Sequence, residues 1–112
     1  MNNGFVEIRD PDSLDQFLTN APSAAILFKH SETCGVSSRA YAEMAKLNHP
    51  VGLIMVQKAR ALSDEIERRW DLAHETPQVL IIRNGKMVWN ASHFRVKAEA
   101  IEAALLESEA AK

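Results

Sequence analysis

The sequence predicts a single α/β domain spanning residues 1–112, with a central mixed sheet of four to five strands flanked by about four helices. Three observations lead there. Short apolar runs of strand length alternate with stretches whose apolar residues recur at helical spacing. Two late apolar runs are separated by Asn84-Gly85, a strong hairpin signal. Finally, 112 residues at 46% hydrophobic and 25% charged are enough for one core and too few for two.

Taken in order, Phe5 to Ile8 alternates weakly and is closed by Asp10-Pro11, which suits a first strand followed by a turn. Asp12 or Ser13 then caps a helix whose apolar residues Leu14, Phe17 and Leu18 share a face, and Pro22 ends it. Ala24 to Phe28 is a continuous apolar run, the pattern of a strand buried on both faces of a parallel sheet. Past Cys34, the residues Val36, Ala40, Met44 and Leu47 make one face of a second helix, stopped by Asn48-His49-Pro50. Val51 to Val56 repeats the buried-strand pattern. Leu62, Ile66, Trp70 and Ala73 give a third helical face, with Ser63 and Asp64 near its start. Strands over Val79–Ile82 and Met87–Trp89 form the hairpin, and Val96 to Leu105 is a last amphipathic helix followed by a frayed ESEAAK tail. A βαβ unit leading through a helix into a hairpin and a final helix is the element order of a thioredoxin-like fold.

Composition narrows the function. Thirteen Lys and Arg against fifteen Asp and Glu leave a net charge of −2 with both signs scattered, which argues against nucleic acid as a partner. No apolar stretch approaches the roughly 20 residues of a membrane-spanning helix, so no membrane partner is expected. With no positively charged start leading into an apolar run, the chain reads as cytoplasmic. One cysteine closes no intrachain disulfide, in keeping with a reducing compartment. Four scattered histidines without paired ligand spacing give no metal site.

That cysteine, Cys34, falls between the end of a buried strand and the start of a helix. A free thiol titrates near pH ~8.5 and reacts as the thiolate, so a reactive cysteine needs stabilised negative charge. A helix N-terminus offers it through the backbone N–H groups of Val36 and Ser37 and the positive end of the helix dipole. The Ser37 hydroxyl is a further donor, and Lys29, His30 and Arg39 are nearby candidates for positive charge. Gly35 puts no side chain in the way of a bulky thiol. Free cysteines are more often buried as small hydrophobes, but Ser31, Glu32, Thr33, Gly35, Ser37 and Ser38 describe a polar loop rather than a core. Of the remaining candidates, His74 and His93 read as structural hydrogen-bonders, His49 as a loop residue, and Trp70 and Trp89 as core or edge packing.

Three stretches, "TCGVS" at 33–37, "HETPQ" at 74–78 and "NGKMVWNASH" at 84–93, resemble in order and spacing the monothiol bacilliredoxin (YtxJ-like) branch of the thioredoxin superfamily. The resemblance implies a redox-active oxidoreductase in the stress response, with Cys34 removing bacillithiol from mixed disulfides on proteins. It implies no bound cofactor, with bacillithiol as the thiol co-substrate. The implied partners are bacillithiolated proteins, bacillithiol and a reductase, around a monomer or weak dimer. It also implies that Thr76-Pro77 is a cis pair beside the reactive sulfur, with the Thr76 backbone pairing with a substrate cysteine like an added strand. The family usually has proline directly after the cysteine, where this chain has Gly35. Two alternatives compete. "CGVS" is similar to the CGFS motif of monothiol glutaredoxins that hold an iron–sulfur cluster, although no Gly-Gly-x-Asp-like segment follows the proline strand. A redox sensor whose cysteine is capped without turning over is the third reading.

Overall fold

A computed structural model of the chain describes residues 4–21, 23–33 and 35–110; Cys34 and Pro22, both used above, lie outside the described residues. The element order is β1 (Phe5–Glu7), α1 (Pro11–Asn20), β2 (Ala25–His30), α2 (Gly35–Met44), β3 (Val51–Met55), α3 (Arg60–Trp70), β4 (Gln78–Arg83), β5 (Lys86–Ser92), a 3-10 turn (His93–Arg95) and α4 (Ala98–Ala110). The sheet runs β1-β3-β2-β4-β5, with β1, β3 and β2 parallel and β4 and β5 antiparallel to their neighbours. It is the expected α/β fold with five strands.

The central strands β2, β3 and β4 are buried along their whole length, which explains why they read as unbroken apolar runs. Their alternating residues feed two cores. Ile26, Phe28, Leu53, Val79 and Ile81 pack with Ala40 and Met44 of α2 and Ile101 of α4. Leu27, Ile54, Leu80 and Ile82 pack with Leu14 of α1 and Leu62 and Ile66 of α3. A helix layer on each face is the standard way to cover such a sheet.

Local chemistry moves several boundaries away from the expectation. Asp10-Pro11 does not make a separate turn. Asp10 is the N-cap of α1, accepting from the Ser13 N–H at 2.8 Å while Ser13 Oγ accepts from the Asp10 N–H, and Pro11 takes the first helical position. Helix α3 begins at Arg60, ahead of Ser63 and Asp64, with no side-chain cap; Ser63 is buried inside it. Val96 stands outside α4, and Glu107 to Ala110, expected to fray, continue that helix. The hairpin at Asn84-Gly85 forms with φ of 56° and 77°, the positive pair that a tight two-residue turn requires.

Gly52 is a position the sequence reading passed over. A Cβ there would lie 2.6 Å from Ile8 Cδ1 and 3.0 Å from Phe17 Cε2, so the bare backbone of β3 is what lets β1 and α1 close over it.

Candidate functional site

Strand β2 ends at His30, and α2 begins at Gly35, so Cys34 immediately precedes in sequence the first residue of a helix. The polar loop before it is held from the side. Gln57, just after β3, donates from Nε2 to Ser31 Oγ at 2.7 Å and to Thr33 Oγ1 at 3.3 Å. Its chain neighbours and own helix backbone aside, a Cβ built on Gly35 meets none of the described residues within 4 Å, so they leave the space over the start of α2 open.

Below the loop, Ser37 is fully buried. Its Oγ accepts the Ser31 N–H at 3.0 Å and lies 2.8 Å from His30 Nδ1. His30, a candidate for positive charge in the sequence, is buried between Phe28 and Tyr41, ring centroids 5.4 and 5.1 Å away. Burial pushes its pKa below the ordinary imidazole value, against the raising effects of Glu32 and Ser37, so the ring is neutral at neutral pH. The proton between Nδ1 and Ser37 belongs to one or the other according to the tautomer.

Lys29, the neighbour of His30, faces the other way because side chains alternate along a strand. It is 0% exposed. Its ammonium turns to the α3 face, where Nζ meets His74 Nδ1 at 3.1 Å, and Ser63 Oγ lies 3.1 Å from the same nitrogen. An ammonium can only donate, so His74 accepts at Nδ1 and is uncharged. Burial lowers the Lys29 pKa, while Glu67 and Asp64 pull it back up. His74 itself is exposed, and partial desolvation of its ring, with Lys29 and Arg60, lowers its pKa against the pull of Glu67 and Asp64.

His74 opens the segment leading to Thr76-Pro77, whose peptide bond is cis, the isomer expected from the sequence. Thr76 is half-buried and Pro77 buried. The β2–β4 register that pairs Lys29 with Gln78 brings Pro77 to the level of His30. Gln78 Nε2 donates to the Ala73 carbonyl at 3.0 Å, closing the turn from behind, while the Pro77 carbonyl accepts the His93 N–H at 2.9 Å. His93 has φ 55° and starts the 3-10 turn that presents Phe94, 61% exposed, under the Arg39 guanidinium 5.9 Å from its ring centre. His30 and Ser37 thus meet directly, Arg39 meets the turn after β5, and Lys29 serves the proline segment. Gln57 and Phe94 had no signal in the sequence, and Ser63 only that of a helix start, since each joins the site through contacts made by the fold.

A five-stranded sheet in this order between two helix layers, with the lone cysteine immediately before α2 in sequence, defines a thioredoxin-fold protein. A solved structure described as a candidate oxidoreductase with a thioredoxin fold is similar at 29% identity over 91% of this chain and 94% of its own, with a TM-score of 0.86. A mutant thioredoxin from Halobacterium salinarum (15% identity, 93% and 88% covered, TM-score 0.74) and a thioredoxin from Malassezia sympodialis (16%, 96% and 93%, 0.70) share the fold. The family model described as monothiol bacilliredoxin BrxC matches residues 6–101, and the chain belongs to that family.

Proposed function

We propose that this protein is a monothiol oxidoreductase that removes bacillithiol from mixed disulfides on cytoplasmic proteins through Cys34. The observation that carries the reading is membership of the monothiol bacilliredoxin family in a chain with one cysteine. The Cys34 thiolate attacks the bacillithiol sulfur of a protein–bacillithiol disulfide. A Cys34–bacillithiol disulfide forms, the original S–S bond breaks, and the protein leaves as a thiolate that takes a proton from water. With serine at position 37 no internal thiol resolves the adduct. A second bacillithiol attacks it, releasing oxidised bacillithiol and the Cys34 thiolate, or a partner reductase supplies the electrons.

The remaining residues have supporting parts in this reading. The N–H groups of Val36 and Ser37 favour the thiolate. The Ser37 hydroxyl is free to donate when His30 holds its proton on Nδ1, and is spent on His30 in the other tautomer. Thr76 offers its backbone to the substrate beside Pro77, and Arg39 with Phe94 borders the approach.

The test is release of bacillithiol from a capped protein, followed by mass spectrometry, for the parent and Cys34→Ser, with the same protein capped by glutathione in parallel. Turnover only by the parent, with the bacillithiol cap removed faster, is expected. Activity retained in Cys34→Ser removes the cysteine from the mechanism. A preference for glutathione, or a brown dimer that bleaches on losing it, moves the assignment to the cluster-binding monothiol glutaredoxins.

A further inference from the structure

At the other end of β2 from His30, below Ala24 and Ile26, lies a cavity of about 410 Å³ between α1 and α4, bordered also by Phe17, Leu105 and Arg83. That volume falls in the range of small-molecule sites, about 300–1,000 Å³, and such sites combine apolar walls with a few placed polar groups. Here several polar residues line the rim, Ser13, Gln16, Asn20 and Glu109 among them, and the buried one is Arg83, only 6% exposed. Its Nε and Nη2 donate to Ser108 Oγ at 3.3 and 3.0 Å, and Nη1 reaches the Ser23 carbonyl at 3.5 Å. Both acceptors are neutral, and among the described residues no carboxylate forms an ion pair with this guanidinium. Arginine keeps its charge and has five N–H donors. A buried cation beside neutral partners is short of an anion, and a carboxylate supplies both the charge and the paired acceptors that a guanidinium matches.

We propose that this cavity is a second ligand site, remote from the thiol, for a small amphipathic monocarboxylate, its head on the spare N–H groups of Arg83 and its apolar tail against Phe17, Ile26 and Leu105. The restriction to one negative charge comes from the border: Glu7, held by Arg9 at 3.0 Å, and the exposed Glu109 both line the same cavity and repel a polyanion.

The experiment is titration of the full chain with octanoate, 1-octanol and succinate, read by amide NMR shifts and calorimetry. Octanoate should bind saturably, shifting the amides of Phe17, Ala24 and Leu105, at least about tenfold more tightly than octanol or succinate, the size expected of one charged hydrogen-bonded contact. Arg83→Gln should lose about that factor, and Glu109→Gln should bind octanoate no more weakly than the parent. The comparison of the three probes on the parent decides the matter even if Arg83→Gln does not fold. Absence of saturable octanoate binding, equal binding of octanol, or full binding by a folded Arg83→Gln would overturn the proposal and leave Arg83 as a clamp between β4 and α4.

Discussion

Replacing Lys29 by methionine should leave the protein as stable as the parent or more so. The ammonium is 0% exposed and its one described hydrogen bond is to the neutral His74 ring at 3.1 Å. Removing it forfeits a charge-assisted hydrogen bond, about 1.5–3 kcal/mol, and a weaker pull from Asp64 and Glu67. Against that, burial of an ammonium costs several kcal/mol in desolvation, which methionine does not incur. Methionine fills nearly the same volume, and His74 Nδ1 keeps Ser63 Oγ at 3.1 Å as a donor, so no polar atom is orphaned. The balance is a gain of about 0–2 kcal/mol, roughly 4 °C per kcal/mol in Tm for a domain of this size. Lys29→Ala, which also empties the space of the stem, should instead fall about 2–5 kcal/mol below Lys29→Met.

The pH dependence carries the sign. The folded-state pKa of Lys29 lies below its ordinary value of 10.5, so on approach to that pH the folded chain holds fewer protons there than the unfolded chain. Stability therefore rises with pH in that window, and the slope vanishes in Lys29→Met. Urea unfolding of the three proteins from neutral to alkaline pH measures both effects, and NMR titration of His74 should show its midpoint moving up once the neighbouring ammonium is gone. If Lys29→Met proves as unstable as Lys29→Ala, the ammonium is a net stabilising charge and the desolvation reasoning is refuted.

Gly52→Ala should cost about 1–3 kcal/mol by overpacking, since its methyl would fall 2.6 Å from Ile8 Cδ1; urea midpoints check it. Gly35→Pro should fold normally and gain about 0.4–1 kcal/mol, because the first helical position accepts proline and the space there is open; a loss in Tm would count against that. His30 and His74 both titrate below the ordinary 6.5, so the unfolded chain binds more protons as pH falls through and below that value. Stability should drop between about pH 7.5 and about pH 5, less so in His30→Phe, and a flat profile would contradict the burial of His30. Ser37→Cys should lose about 1–3 kcal/mol with the Ser31 and His30 contacts. It should nonetheless close a disulfide with Cys34 under oxidation, since i and i+3 meet on a helix; continued alkylation of both thiols would show that they do not face each other.

Most of the architecture was legible because the central strands are buried on both faces and therefore announce themselves as continuous apolar runs. The hairpin was legible because Asn84-Gly85 is the chemistry its turn demands. Helix starts were less so: Asp12 or Ser13 was expected to cap α1, yet Asp10 is its N-cap with Ser13 bonding back to it, and α3 starts ahead of Ser63 and Asp64 with no side-chain cap at all. The site divided along the same line. His30, Ser37 and the Thr76-Pro77 pair stood out because they cluster around motifs in the sequence. Gln57, Ser63 and Phe94 depend on contacts across the fold, with Gln57 reaching back 26 residues to Ser31. Arg83 was invisible for a related reason, since an arginine at a strand end before a turn looks solvated until α4 closes over it.

The alternation of β2 explains how two adjacent basic residues contact different elements beside the candidate site. Because successive side chains leave opposite faces of a strand, His30 enters the α2 layer and meets Ser37, while Lys29 enters the α3 layer and meets His74. The first contact bears on the helix start that follows Cys34, and the second on the segment that leads to Thr76-Pro77. In the proposed mechanism these are the two surfaces a substrate disulfide touches, one at the attacked sulfur and one along its backbone. Their protonation is set by separate environments: Lys29, Arg60, Asp64 and Glu67 act on His74, whereas Glu32 and Ser37 act on His30. Exchange of Lys29 for methionine should therefore shift the titration of His74 and leave that of His30 where it was. If both midpoints moved together, the sheet would be transmitting a change between its faces, and the division of labour along β2 would have to be given up.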